Sequence, residues 1–394
     1  MMEYLIGECN YGGKLQDDWD KKILKSILKR FINKEIIFCQ DYSLNENDKT
    51  YFLPVRYDYK DFIQCIKSLP PNPHPEVYGL NKNAGVMRNL SISNKLLDAL
   101  LNIFGENVYN KLKTSDHYVY NIAENILLKM PDSFDTEEIL NQFSTNNNEC
   151  LVSVLFQELL AFTYLQDVVK SSLTDLLNAI KGLTVLTPDL EDILTSLGSS
   201  LVPKVWQKCS YSSLKPLGSY ISDLIERINL FQKWFSFGKP KDFWISGFYF
   251  PHSFMSAVKQ DFARKNKISV LELTFDYEIL KTKRAENYPD VGAFLYGIHL
   301  LGARWDEIKQ SLEEEFPMVM YEELPLLWVK PCLKNELKGE RKYTCPLYRT
   351  TERKGKITSA GLSTNYILPI LIDTHLDPSH WVTRGVALVC QLDE

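Results

Sequence analysis

With 394 residues, 45% hydrophobic and 24% charged, the protein can bury one sizeable core or several. Its formal net charge of −5 argues against a nucleic-acid surface spread over the whole molecule. No apolar run reads as a bilayer span and no signal peptide opens the sequence, so the expectation is a soluble intracellular protein without membrane contact.

Residues 1–10 read as the end of a strand, and Gly12-Gly13 as a turn that needs positive φ or close backbone approach. A helix follows over 15–33. Asp17 and Asp18 stand where carboxylates satisfy its first N–H groups, and Trp19, Ile23, Ile27 and Phe31 recur at four-residue steps with Leu24 and Leu28 beside them. A polar, irregular stretch covers 41–50. A helix begun at Tyr59 must end at Pro70, Pro71, Pro73 and Pro75, because proline lacks an N–H and restricts its predecessor. Val77, Tyr78 and Leu80 make that corner a packed one.

Residues 91–113 and 117–130 look helical, with Asp135 or Thr136 as the cap of a further short acidic turn. The polar "STNNNE" at 144–149 is either a domain boundary or the loop between two packed helices. From Cys150 helical spacing persists until Gly182 stops it. Helices then start at Thr187-Pro188 and at Lys215-Pro216, the second ended by Gly238-Lys239-Pro240. From Ile268 the period shortens to that of strands, in "ISVLELTFDYEIL", "GAFLYGIHLLGARW", "YTCPLYRT", "STNYILPILI" and "GVALVCQL". About six mostly antiparallel strands are expected, a closed barrel being one form they can take.

The chemistry sought along this frame is largely absent. A phosphate-binding loop needs G-x-x-x-x-G-K-[ST]; Lys14 is followed by Leu15, and Gly238-Lys239 and Gly355-Lys356 by Pro240 and Ile357. Nucleophile-elbow, zincin and dinucleotide motifs are missing. The eight cysteines show no paired ligand spacing and read as structural thiols. His375, Asp377 and His380 sit around Pro378 and read as a turn rather than a ligand set. Glu313 to Glu315 read as a solvated helix face. Lys259, Arg264, Lys265 and Lys267 make a basic patch without interleaved aromatics.

Eight stretches, in order, resemble the C-terminal end of dynein heavy chains: "GECNYGGKLQDDWDKK" from Gly7, "HPEVYGLNKNA" from His74, "SYSSLKPL" from Ser210, "FWISGFYFPHSFMSAVKQDFARK" from Phe243, "LLGARWD" from Leu300, "YTCPLYRT" from Tyr343, "GLSTNYI" from Gly361 and "HWVTRGVALVCQLDE" from His380. The resemblance implies an α+β protein. Residues 1–14 would be the last strand of the sixth AAA+ large subdomain and 15–148 its helical lid. Residues 149–267 would be the helical part of the C-terminal domain, and 268–394 a small antiparallel β-barrel. Lys14, Ser212, His252 and Leu362 depart from the family's usual arginine, proline, glutamine and histidine, and Ala161 and Thr163 from its arginine and asparagine.

Further implications are that Asn10, Gly12, Gly13, Asp18 and Trp19 fix the lid against its own module, and that Trp244, Gly302, Arg304, Trp305, Asn365 and Trp381 serve interdomain structure. No catalytic, cofactor or metal residue is expected in this sequence, since ATP and Mg²⁺ belong to other modules of the full dynein heavy chain. Partners would be the remainder of the heavy chain with its AAA+ ring and, through the full complex, intermediate and light chains and microtubules. The ending "GVALVCQLDE" resembles axonemal rather than cytoplasmic heavy chains, which implies the axoneme of a cilium. A second reading is a free-standing, dynein-derived binding or scaffold protein that starts at Met1 and carries no motor.

Overall fold

The structure, a computed structural model, describes residues 4–15, 17–38, 42–44, 51–53, 58–111, 116–134, 137, 149–336, 342–351 and 365–392. The expected caps Asp135 and Thr136, most of the 41–50 stretch, the 144–148 boundary, Cys39, Gly355-Lys356 and Leu362 lie outside them.

Residues 5–14 are not a strand. Leu5–Tyr11 forms a π-helical turn and Gly12–Lys14 a 3₁₀ turn. A strand must pair its N–H and C=O groups with a neighbour, and among the described residues none pairs with this segment. Local helical turns satisfy the backbone instead.

Helix α1 (Asp18–Phe31) starts at its Asp17 cap, and α2 (Tyr59–Ser68) stops before the proline corner. Helix α3 (Lys82–Lys111) begins earlier than periodicity suggests, because the Asn81 side-chain oxygen accepts from the Ala84 N–H at 2.9 Å. Next come α4 (Asp116–Lys129), α5 (Cys150–Ile180), α6 (Pro188–Gly198), α7 (Lys204–Cys209), α8 (Leu217–Phe237) and α9 (Pro251–Asn266). Helix α5 is the axis of the helical layer, packing against α4, α6, α7, α8 and α9. Its length and apolarity would suffice to cross a membrane, contrary to the sequence reading, yet half of its most apolar window is buried inside the protein. It also carries Glu158 and Gln166 in that buried interior.

The strands are β1 (Asp242–Trp244), β2 (Leu273–Ile279), β3 (Ala293–Tyr296), β4 (His299–Leu301), β5 (Arg304–Asp306), β6 (Ser311–Glu313), β7 (Tyr321–Glu323), β8 (Leu327–Leu333), β9 (Lys342–Thr350), β10 (Tyr366–Asp373) and β11 (Ala387–Gln391). A last helix, α10 (Pro378–Arg384), stands between β10 and β11. One sheet has the order β1-β3-β8-β2, a second β10-β9-β11-β4-β7, and β5-β6 is a hairpin. The fold is α+β, but the sheets are mixed rather than purely antiparallel. β1 runs parallel to β3 and β11 parallel to β9, the chain running back along antiparallel β10 and through α10 between β9 and β11. Among the described residues the sheets do not close into a barrel. One core joins the helical layer to both larger sheets.

Candidate interdomain interface

Strand β11, with the sequence ALVCQ, is buried at every position, as a strand covered on both faces must be. Leu388 and Cys390 enter the main core, while Ala387 and Val389 face a second, smaller one. That smaller core is closed by Trp19 and Tyr348, with Leu301, Tyr366 and Leu392 at its margin. The start of α1 thus docks on the outer face of the five-stranded sheet.

Asp17 organises this dock. Its carboxylate accepts from the Trp19 backbone N–H at 2.9 Å and from the Tyr348 hydroxyl at 3.2 Å. One side chain therefore caps a helix and ties it to β9. Tyr348 and Tyr366 meet edge-on with centroids 5.9 Å apart, and burial pushes the Tyr366 phenol up to about 12. The Lys22 ammonium lies 3.8 Å over the Trp19 ring.

Two more contacts continue the interface. Ser26 on α1 hydrogen-bonds Thr383 on α10. Asn83, buried at the start of α3, grips the loop after β6: its amide donates to the Phe316 carbonyl at 2.9 Å and the Val319 carbonyl at 2.8 Å, and its oxygen accepts from the Met318 N–H at 2.9 Å. Met318 adopts φ +66°, a conformation this three-bond grip helps to hold. The three glutamates beside it are not a solvated helix face. Glu313 ends β6, and Glu314 receives His380 at 2.7 Å and Arg384 at 3.1 Å. Burial pushes the Glu315 carboxyl up to about 7, against the opposing pull of the Asn83 N–H groups and Arg384.

Within the helical layer, α5 and α9 cap one another. Glu158 of α5 accepts from the Tyr249 and Phe250 N–H groups, both at 2.7 Å, ahead of α9. Asp261 of α9 accepts from the Cys150 and Leu151 N–H groups at 2.6 and 3.3 Å, at the start of α5. Burial pushes Glu158 up to about 7, against those two hydrogen bonds. Asp223 meets Arg227 at 2.6 Å, Tyr211 at 2.8 Å and Lys215 at 3.1 Å. Burial drives its carboxyl upward, but Arg227 and the other partners outweigh that and hold it below its ordinary value.

The residues singled out from the sequence fall in several places. Asn10 and Gly13 are exposed, and a Cβ at Gly13 would meet nothing within 4 Å. At Gly12 a Cβ would sit 2.4 Å from the Gly7 carbonyl oxygen, so close approach, not positive φ, demands glycine there. Asp18 is exposed and reaches Lys21 at 3.6 Å, so the capping role belongs to its neighbour Asp17. Trp19 packs on the sheet of the C-terminal half. Trp244 lies against Gly297, and Gly302 takes φ +76° between β4 and β5. The Arg304 guanidinium lies 4.6 Å over the Phe316 ring, and the Trp305 N–H donates to Glu322 at 3.0 Å. The Asn365 amide bridges β10 to β9 by donating to the Thr350 carbonyl at 3.1 Å and accepting from the Thr350 N–H at 3.2 Å. Trp381, fully buried, donates to the Thr374 hydroxyl at 2.6 Å.

Trp19, Arg304 and Trp381 therefore belong to or border the docked region, and Trp244 does not. Tyr348, Tyr366 and Asn83 escaped the sequence reading. Asp17 was legible as a cap, but its second partner lies 331 residues away. Asp377 caps α10, which explains the turn seen around His375 and His380. Among the described residues no three His, Cys, Asp or Glu side chains gather as metal ligands. The described cysteines are free thiols, and burial pushes Cys390 up to about 12, which leaves it unreactive.

Residues 1–84 match the family model of the AAA lid domain of dynein heavy chains, and residues 90–390 that of their C-terminal domain. The sequence is 39% identical over 393 residues to dynein axonemal heavy chain 12 of Mus musculus, 39% over 393 to dynein axonemal heavy chain 3 of Homo sapiens, and 36% over 395 to dynein axonemal heavy chain 1 of Rattus norvegicus. Each comparison covers 100% of this protein but only 13%, 10% and 9% of the respective relative. The two models meet inside α3, so the dock of α1 and the grip of Asn83 join one matched region to the other. With both models matched in sequence along its length, the chain belongs to the dynein heavy chain family, as an AAA lid followed by the C-terminal domain.

Proposed function

We propose that this protein acts as the non-hydrolysing C-terminal part of an axonemal dynein heavy chain, packing on the AAA+ ring and modulating ATP-driven, minus-end-directed movement along microtubules in cilia and flagella. The observation that carries this reading is the match, over the whole sequence, to axonemal heavy chains of much greater length. ATP and Mg²⁺ would be held by other modules, and intermediate chains, light chains and microtubules would be reached through the full complex. The remainder of the heavy chain is the direct partner. Exposed Met87, Leu90, Leu96, Leu97 and Leu100 on α3 support this, since so much open apolar surface on one helix marks a face meant for covering.

Residues 1–14 are read as the end of the preceding large subdomain and the following helices as its lid, up to 148. The packing of α4 into the core of α5 favours an earlier division, near the start of α3. The sheets are read as walls of one small barrel-like unit. A Leu312–Thr374 bridge and a hydrogen bond from the Tyr277 hydroxyl to the Pro369 carbonyl support that, because they tie the sheets together.

The test is Trp19→Ala in an intact heavy chain, read by microtubule gliding and ATP binding. Gliding speed should change by about twofold or more while nucleotide binding is retained, the effect expected of a residue that couples two elements without touching ligand. Wild-type gliding would contradict the proposal.

A further inference from the structure

The four-stranded sheet sends Phe243, Ala293, Leu295 and Val329 into the core. Alternate residues point the opposite way. The solvent side of an open sheet is ordinarily polar, yet this one carries Trp244, Phe294, Tyr296 and Trp328, all half-buried. Trp244 and Tyr296 are register neighbours, and Phe294 and Trp328 have centroids 5.5 Å apart. A cleft of about 640 Å³ opens over the β1 side of this face, between it, the end of α8 and the loop before β3. Two further rings line it, Phe237 at 88% exposure and Tyr288 at 58%.

Cations surround these rings. The Arg284 guanidinium lies 3.5 Å over Tyr296 and is steadied by Asp242 at 3.4 Å, and the Lys330 ammonium, itself paired with Glu278, lies 3.8 Å over Trp328. Lys233 and Lys239 line the cleft with exposed side chains, and among the described residues neither has an ion-pair partner. Asp242, one of two carboxylates in the lining, is already engaged by Arg284 and by the Ala285 N–H. A protein of net charge −5 has thus concentrated cations where it also exposes aromatic surface.

We propose that this cleft binds a partner protein through an acidic peptide segment that places one aromatic or aliphatic side chain between Phe237 and Trp244. The cations complement its carboxylates and set its register, and the rings supply the desolvated contact that gives affinity. Nucleic acid fits less well, because the Tyr296 and Trp328 faces are occupied by Arg284 and Lys330 and are not open for base stacking.

The experiment is fluorescence anisotropy of the full 394-residue protein with a fluorescein-labelled peptide of glutamates flanking a single phenylalanine, beside labelled oligothymidylate. The peptide should bind saturably. Lys233→Glu with Lys239→Glu should weaken it by about tenfold or more, and Phe237→Ala by about fivefold. All three positions are exposed, and an unchanged thermal melt shows that the variants remain folded. Absent binding, equal binding by the folded variants, or tighter binding of oligothymidylate would overturn the proposal.

Discussion

Asp17 and Trp19 carry more than their own helix. Trp19→Ala removes a large ring from a core whose other members are Tyr348, Ala387 and Val389, and should cost about 3–5 kcal/mol in urea unfolding. Tyr348→Phe keeps the ring and removes only the hydroxyl donated to Asp17, so about 1–2 kcal/mol is expected. A loss as large as that of Trp19→Ala would mean that the ring, not the bond, had been disturbed. Glu315 adds a pH dependence of definite sign. Its folded pKa of about 7 lies above the ordinary 4.5, so the folded state holds this proton more tightly. The stabilisation is complete below about 4.5 and is lost as pH rises to about 7, and the melting temperature should fall across that window. Glu315→Gln, which mimics the protonated form, should flatten the slope; an unchanged slope would place the titration elsewhere, with Glu158 as the first alternative.

Helices were more legible than strands, for reasons visible in particular elements. Helix α5 announces itself by unbroken helical spacing and stops beside Gly182, which takes φ +75°. The β-prone stretch "GAFLYGIHLLGARW" holds three strands, because Gly297 and Gly302, both at φ +76°, turn the backbone between β3, β4 and β5. Strand β8 was missed although it lies at the centre of its sheet, since Pro331 stands inside it and proline normally demotes a strand. Local pattern also hides the reciprocal caps of α5 and α9, because Glu158 and Asp261 act on each other's helices across roughly a hundred residues. Asp261→Ala should cost about 1 kcal/mol, as loss of a cap does. Glu158→Ala leaves two partly buried N–H groups without their acceptor and should cost roughly twice that in the same denaturation assay. Equal small losses would show that solvent reaches the start of α9.

For the molecule as a whole, the α+β class followed from periodicity and family resemblance, whereas the seam between its halves did not. The residues that form the seam, Asp17 and Trp19 with Tyr348, and Asn83 with Phe316, Met318 and Val319, are separated by more than 230 positions, and nothing local marks them as partners. Trp19, which the family resemblance gave a role in fixing the lid to its own module, is seated on the sheet of the C-terminal domain, where a displacement of that domain would be felt by the lid. The modulation of the ring proposed above would act through this seam. Amide hydrogen exchange of α1, compared between the native protein and Trp19→Ala, measures the seam directly. Protection across Asp18–Phe31 should fall in the variant while α5 and α9 keep theirs; unchanged protection in α1 would contradict the docking of the lid through Trp19.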